Sequence, residues 1–217
     1  EAQFIVDETK ALEREGWDLD EIAVLYRSNA QSRVIEQSLF RSGIPYKIYG
    51  GLRFYERQEI KHALAYLRLA VNPDDDNALL RVINFPPRGI GARTIENLQT
   101  ASNEQGITLW QAACNAGAKA TKIAAFVRLI EALRNQVGQM PLPEIIVGIL
   151  KDSGLIEHYR TQKGDNQDRL DNLDELVNAA IEFKPEDSNF EILPDNISDD
   201  PAFPILAFLS NAALESG

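Results

Sequence analysis

The chain has 217 residues, 44% hydrophobic and 25% charged, with a formal charge of −11. Those fractions exclude wholesale disorder. A lone Cys114 with the widely separated His62 and His158 excludes an internal disulfide and any zinc site of recognisable spacing, and makes a reduced intracellular setting the default. The best apolar run, Ile145 to Leu150, falls far short of the ~20 residues a spanning helix needs, so no membrane partner is expected. No basic, then apolar, then small-residue pattern opens the sequence, so no signal peptide is expected. It starts directly in a helical pattern and stops at Glu215-Ser216-Gly217, which leads us to expect a piece of a longer, cytoplasmic protein.

Residues 1–16 read as a helix, with Phe4, Ile5, Glu8 and Leu12 at helical spacing and Gly16 as its stop. The run Ile22-Ala23-Val24-Leu25-Tyr26 reads as a buried strand, residues 29–42 as a helix ended by Gly43, and Tyr46-Lys47-Ile48-Tyr49 as a second strand closed by Gly50-Gly51. Strand, helix and strand at this spacing predict a βαβ unit. Two strands do not make a stable sheet alone, so the unit is expected to be incomplete. After Gly51 the pattern predicts helices over 56–71, 76–84, 92–104, 108–115, 119–137, 142–152, 155–162, 167–183 and 202–215. The stripes Ile123, Phe126, Val127, Ile130, Leu133, Val137 and Leu170, Leu173, Val177, Ala180, Ile181 are core faces. Residues 184–200, with six acids and two prolines, read as a loop. The expected fold class is mainly α: a helical domain preceded by a small incomplete α/β patch.

Charge is distributed in blocks. Residues 1–25 hold 8 acids and 2 bases, residues 26–93 hold 11 bases and 6 acids, and from Asp152 onward there are 15 acids and 4 bases. An arginine-rich segment between two acidic ones points to a localised polyanion-binding face. Its bland counterpart is a solvated helix surface.

No G-x-x-x-x-G-K-[ST] loop exists to cradle a triphosphate, Asp20-Glu21 precedes its run, and no Ser/His/Asp or Cys/His set has a recognisable order. No catalytic residue is assigned. Three other places carry chemistry. Arg27, Ser28 and Asn29 leave the first predicted strand where a helix begins, so they either cap that helix or present it to a phosphate. Arg57, Lys61 and Arg68 fall within about 40° of one another at 100° per residue, beside an apolar stripe of Ile60, Leu64, Leu67 and Val71. That predicts a basic ridge along the seam, unless local acids such as Glu56 pair with it. Finally, Arg88-Gly89-Ile90-Gly91-Ala92-Arg93-Thr94 is a tight turn feeding a helix. Its small residues admit an anion to backbone N–H groups and Thr94 adds a hydroxyl, the chemistry of hairpin turns that grip DNA phosphates without reading bases.

The segments Leu25 to Arg33, Tyr49 to Lys61, Pro87-Arg88-Gly89-Ile90-Gly91 and Leu206 to Leu214 resemble, in order, motif IV, the next conserved segment, the GIG motif and the closing segment of subdomain 2B of the UvrD/Rep/PcrA superfamily 1 DNA helicases. The resemblance implies that residues 1–50 are the first part of the RecA-like subdomain 2A and 51–217 the helical subdomain 2B. Subdomains 1A, 1B and the rest of 2A would lie outside the chain. It implies ATP and Mg2+ as cofactors of the parent enzyme and none for this portion, which by itself would be inactive. It also implies DNA at a single-strand/duplex junction as partner, with repair or replication proteins besides, and a bacterial, nucleoid-associated setting. By the same resemblance Arg27 and Asn29 would touch the single strand, and Lys61, Arg68, Gly89, Gly91 and Thr94 duplex phosphates. Arg57, Arg88 and Ile90 complete the expected DNA-binding set. A helix-hairpin-helix repair scaffold without a motor and an acidic helical interaction module are the alternative readings.

Overall fold

The computed structural model describes residues 1–117, 120–164, 166–185 and 200–216. Its elements are α1 (Ala2–Glu15), α2 (Ser32–Arg41), α3 (Gln58–Val71), α4 (Asp76–Val82), α5 (Ala92–Gln105), α6 (Leu109–Gly117), α7 (Thr121–Arg134), α8 (Leu142–Asp152), α9 (Leu155–Thr161), α10 (Gln167–Glu182) and α11 (Phe203–Ser216), with short 3-10 turns at Leu19–Glu21, Asn29–Gln31 and Phe54–Glu56. The mainly α class expected from periodicity is what the chain adopts. Most of the 184–200 loop, with Glu186, Asp187, Glu191, Asp195 and Asp199, lies outside the described residues.

The βαβ expectation is overturned: no strand forms among the described residues. Residues 22–26 and 46–49 take no regular element, and Leu25 is 94% and Tyr49 88% exposed. A strand is stabilised by a backbone ladder and by apolar faces covered on both sides. No ladder forms along these runs, and in them only Ile22, Tyr46 and Ile48 are even partly covered. Instead α1 and α2 pack together, and Val6, Leu39 and Ile44 form a small apolar cluster with Leu19, Ile35 and Tyr46 around it.

The main core begins at Phe54 and is built around α3, which packs against α4, α7, α8, α10 and α11. Ile60, Tyr66, Leu67 and Leu69 of α3, Leu79 and Val82 of α4, Phe126 and Ile130 of α7 and Phe208 of α11 are all at most 1% exposed. Here the predicted narrow apolar stripe needs correction. Ala63, Ala65 and Ala70 are buried as well, small enough to admit neighbours on several sides, so α3 is central rather than docked by one face. Only Lys61, His62, Leu64, Arg68, Val71 and the opening Gln58 keep partial or full exposure.

Local signals place the ends that matter. The Asp75 carboxylate accepts the Ala78 N–H at 2.9 Å and starts α4, as an N-cap aspartate does. Gly91, extended at φ −80°, caps α5, whose first turn contains no acid.

Candidate nucleic-acid interface

The turn between α4 and α5 is held from inside. The Asn84 side-chain oxygen accepts two backbone N–H groups, from Arg88 at 2.9 Å and from Ile90 at 3.0 Å. The Ile90 side chain plugs the core at 1% exposure. Arg88 folds back: Nη1 donates to the carbonyls of Val82 (3.2 Å) and Pro86 (3.0 Å), and Nη2 to that of Ser153 (2.8 Å) after α8. Its guanidinium also lies over the rings of Tyr66 and Phe126, a favourable placement for a cation. The Tyr66 hydroxyl donates to the Val82 and Phe85 carbonyls, and burial pushes that phenol up to about 12.

What remains open is the outer rim. Gly89 sits at φ +71°, a conformation in which L side chains are strained. The N–H groups of Gly89, Gly91, Ala92 and Arg93 find no partner among the described residues, the last three being orphan donors of the helix start. The Thr94 N–H donates to the Gly91 carbonyl at 3.0 Å, and its half-buried side chain edges a cleft of about 410 Å³ with Asn97, Asn115 and Ile123. The turn thus leaves four backbone donors open on exposed residues at the start of a helix, where an anion is favoured.

Lys61 and Arg68 face a separate groove of about 700 Å³ between α3, α4 and α11, shared with Asp75 and Arg81. Arg68 Nη1 stands 3.8 Å from Asp75 Oδ2 with its side chain 50% exposed, so the pair is weak and solvent-screened. Lys61 has no ion pair among the described residues. His62 stacks on Phe85 with ring centroids 3.7 Å apart, and burial first, then Arg81, His158 and Arg169, lower it to about 4.

Arg57 leaves the predicted ridge. At 8% exposure it bridges α2 and α10: Nη1 donates to the Asn29 carbonyl and to Asn172 Oδ1, both at 2.8 Å, and Nη2 to Ser32 Oγ at 2.6 Å. Burial lowers its pKa although Glu36 and Glu59 oppose this. Nearby Arg33, 1% exposed, reaches Glu175 and, at 2.7 Å, Glu182. Burial opposes its charge, but the two carboxylates outweigh that and raise its pKa. The Glu36 carboxylate accepts from Ser32 Oγ and from the Phe54 N–H. Asn29 is drawn into the same seam, donating from Nδ2 to Asp168 at 2.9 Å, while the Arg27 side chain is exposed and its N–H donates to Gln31 Oε1.

Of the predicted residues, Gly89 and Gly91 lie in the turn and Thr94 in the first turn of α5 beside the cleft, while Lys61 and Arg68 share a groove that follows α4 from Asp75 to Arg81. Arg27 and Asn29 lie beside α10. Arg57, Arg88 and Ile90 are internal struts rather than open contacts, because spacing along a helix does not reveal which arginines the core will claim. Sequence reasoning missed Asn84; its position four residues before Arg88 and six before Ile90 is the signal for a side chain that bridges a turn.

The described residues thus form a helical domain whose α4–α5 turn leaves four backbone amides open. The family model for the UvrD-like helicase C-terminal domain matches residues 1–217, and the chain belongs to that family. It is 45% identical to DNA helicase II of Escherichia coli K12 and 46% identical to that of Haemophilus influenzae, in both cases over all of this chain and 30% of the relative. It is 38% identical to the ATP-dependent DNA helicase PcrA of Bacillus subtilis over 85% of this chain and 26% of the relative. The chain thus spans less than a third of the length of these relatives.

Proposed function

We propose that this chain is the duplex-DNA-contacting and regulatory portion of an ATP-dependent 3′-to-5′ DNA helicase acting in repair or replication. On this reading residues 1–50 are the opening of its subdomain 2A and residues 51–217 its subdomain 2B. The separate apolar cluster of Val6, Leu39 and Ile44 supports that division. The single observation that carries the reading is the rim of unpartnered N–H groups at Gly89, Gly91, Ala92 and Arg93 above a turn locked by Asn84 and Arg88. Such donors meet phosphate oxygens, and phosphate contacts position a duplex without reading its bases. Lys61 and Arg68 would hold a further stretch of backbone, and Arg27 with Asn29 the single strand. No group of three His, Cys, Asp or Glu among the described residues could hold a metal ion. On the same reading the parent enzyme would bind ATP and Mg2+ outside this chain.

With a charge of −11 working against it, duplex binding by this chain is expected near the 10⁻⁴ to 10⁻⁶ M of non-specific contacts, roughly independent of base sequence. Fluorescence anisotropy of a tailed duplex across a salt titration tests this. Lys61→Ala and Arg68→Ala should each lower the salt slope by about one unit, and Thr94→Ala should weaken binding by ~1.5–3 kcal/mol at most. Parental binding by all three variants would sink the assignment.

A further inference from the structure

We propose that Lys122, the second residue of α7, is an additional duplex-phosphate contact at the Gly-Ile-Gly turn, supplying there the positive charge that spacing along the sequence assigns to Arg88. The inference rests on the reading of the turn as a phosphate site. Of the two arginines flanking the turn, Arg88 is spent on three carbonyls and two aromatic faces, so at the rim of Gly89 to Arg93 the turn itself keeps one exposed cation, Arg93.

Lys122 adds a second from another helix. Its Nζ donates to the Gly89 carbonyl at 3.3 Å. It crosses so close over the turn that a Cβ built on Gly89 would lie 2.6 Å from Nζ and 3.2 Å from Cε. The absence of a side chain at Gly89 is therefore what lets the ammonium lie against the turn. An ammonium carries three N–H donors, and Gly89 takes one. The residue is exposed and has no carboxylate partner among the described residues.

Stability of its own helix does not account for it. A cation in the first turn of a helix opposes the macrodipole, and the first turn of α7, like that of α5, contains no acid to compensate. An ammonium placed there is relieved by an anion arriving from solution. The ligand class that fits Lys122 together with the amides is a phosphodiester backbone. Nothing in this contact reads a base edge, so it adds affinity and salt dependence without sequence preference.

The rival role is a structural clasp on Gly89, and the test separates the two. Lys122→Gln keeps a neutral donor for the Gly89 carbonyl and removes the charge; Lys122→Arg keeps the charge. In anisotropy titrations of the whole chain with a tailed duplex, Lys122→Gln should lower the salt slope by about one unit. Lys122→Arg should retain the parental slope, and the melting temperature of Lys122→Gln should equal or exceed the parent's. If Lys122→Gln keeps the parental slope while Thr94→Ala or Lys61→Ala weakens binding, the turn is a DNA contact and Lys122 is only a clasp, which overturns the inference alone. If none of these variants changes binding, or the parent shows no salt-sensitive binding, the DNA reading of the turn and the role of Lys122 fall together.

Discussion

In the seam between α2, α3 and α10, Arg33 and Arg57 are 1% and 8% exposed, and their guanidinium groups are taken up by Glu175, Glu182, Asn172, Ser32 and the Asn29 carbonyl. At the Gly-Ile-Gly rim, Arg93 and Lys122 are exposed and four backbone donors face outward without partners among the described residues. Both regions are basic in sequence. The seam satisfies its cations internally, as burial demands, and is a joint. The rim leaves its donors open, as the proposed phosphate contact requires. Whether a positive charge is structural or functional is decided by what already holds it, not by its position in a basic block.

The largest effect should come from the seam. Arg57→Ala removes the donor that ties Asn29, Ser32 and Asn172 together and leaves Glu36, 7% exposed, without its nearest cation; the expected cost is about 3 kcal/mol. Urea unfolding would measure it. The salt slope of DNA binding should not change at a denaturant-free temperature where the variant stays folded. A lowered slope with unchanged stability would move Arg57 to the surface class and break the contrast.

A smaller effect is expected at the turn. Asn84→Ala leaves the N–H groups of Arg88 and Ile90 unpaired, costing about 1–3 kcal/mol of stability. Because no charge is lost, duplex affinity should fall while the salt slope is kept. This is the opposite signature to that of Lys61→Ala, and together they sharpen the distinction between a residue that shapes the rim and one that neutralises a phosphate.

The smallest is a pH effect. With an ordinary value of 6.5 and a folded value of about 4, His62 binds a proton more readily in the unfolded chain. Its contribution to stability is therefore complete above 6.5 and is lost as pH falls through 4. Melting temperatures taken between those values should decline less steeply in His62→Phe than in the parent. Equal slopes would show that the burial of His62 does not suppress its protonation.

Much of the fold was legible along the chain, because a helix is a local structure whose hydrogen bonds and 3.6-residue periodicity lie within one segment. The stripes of α7 and α10, the stop at Gly16 and the start of α5 at Gly91 all follow from residues no more than a few positions apart. The turn between α4 and α5 was legible for the same reason, since Gly89 and Gly91 shape the local backbone. The strands expected at 22–26 and 46–49 were not, because a strand needs a partner and periodicity cannot say whether one is present. Nor were the duties of the cations: Arg57 meets Asn172 across 115 positions and Arg88 meets Ser153 across 65, while Lys122 reaches Gly89 across 33. The sequence by itself determined the helices and the glycine turn between α4 and α5. Only the tertiary structure decided which positive charges are consumed in holding the helices together and which are left to meet a ligand, because that choice depends on acceptors that distant segments bring within hydrogen-bonding range.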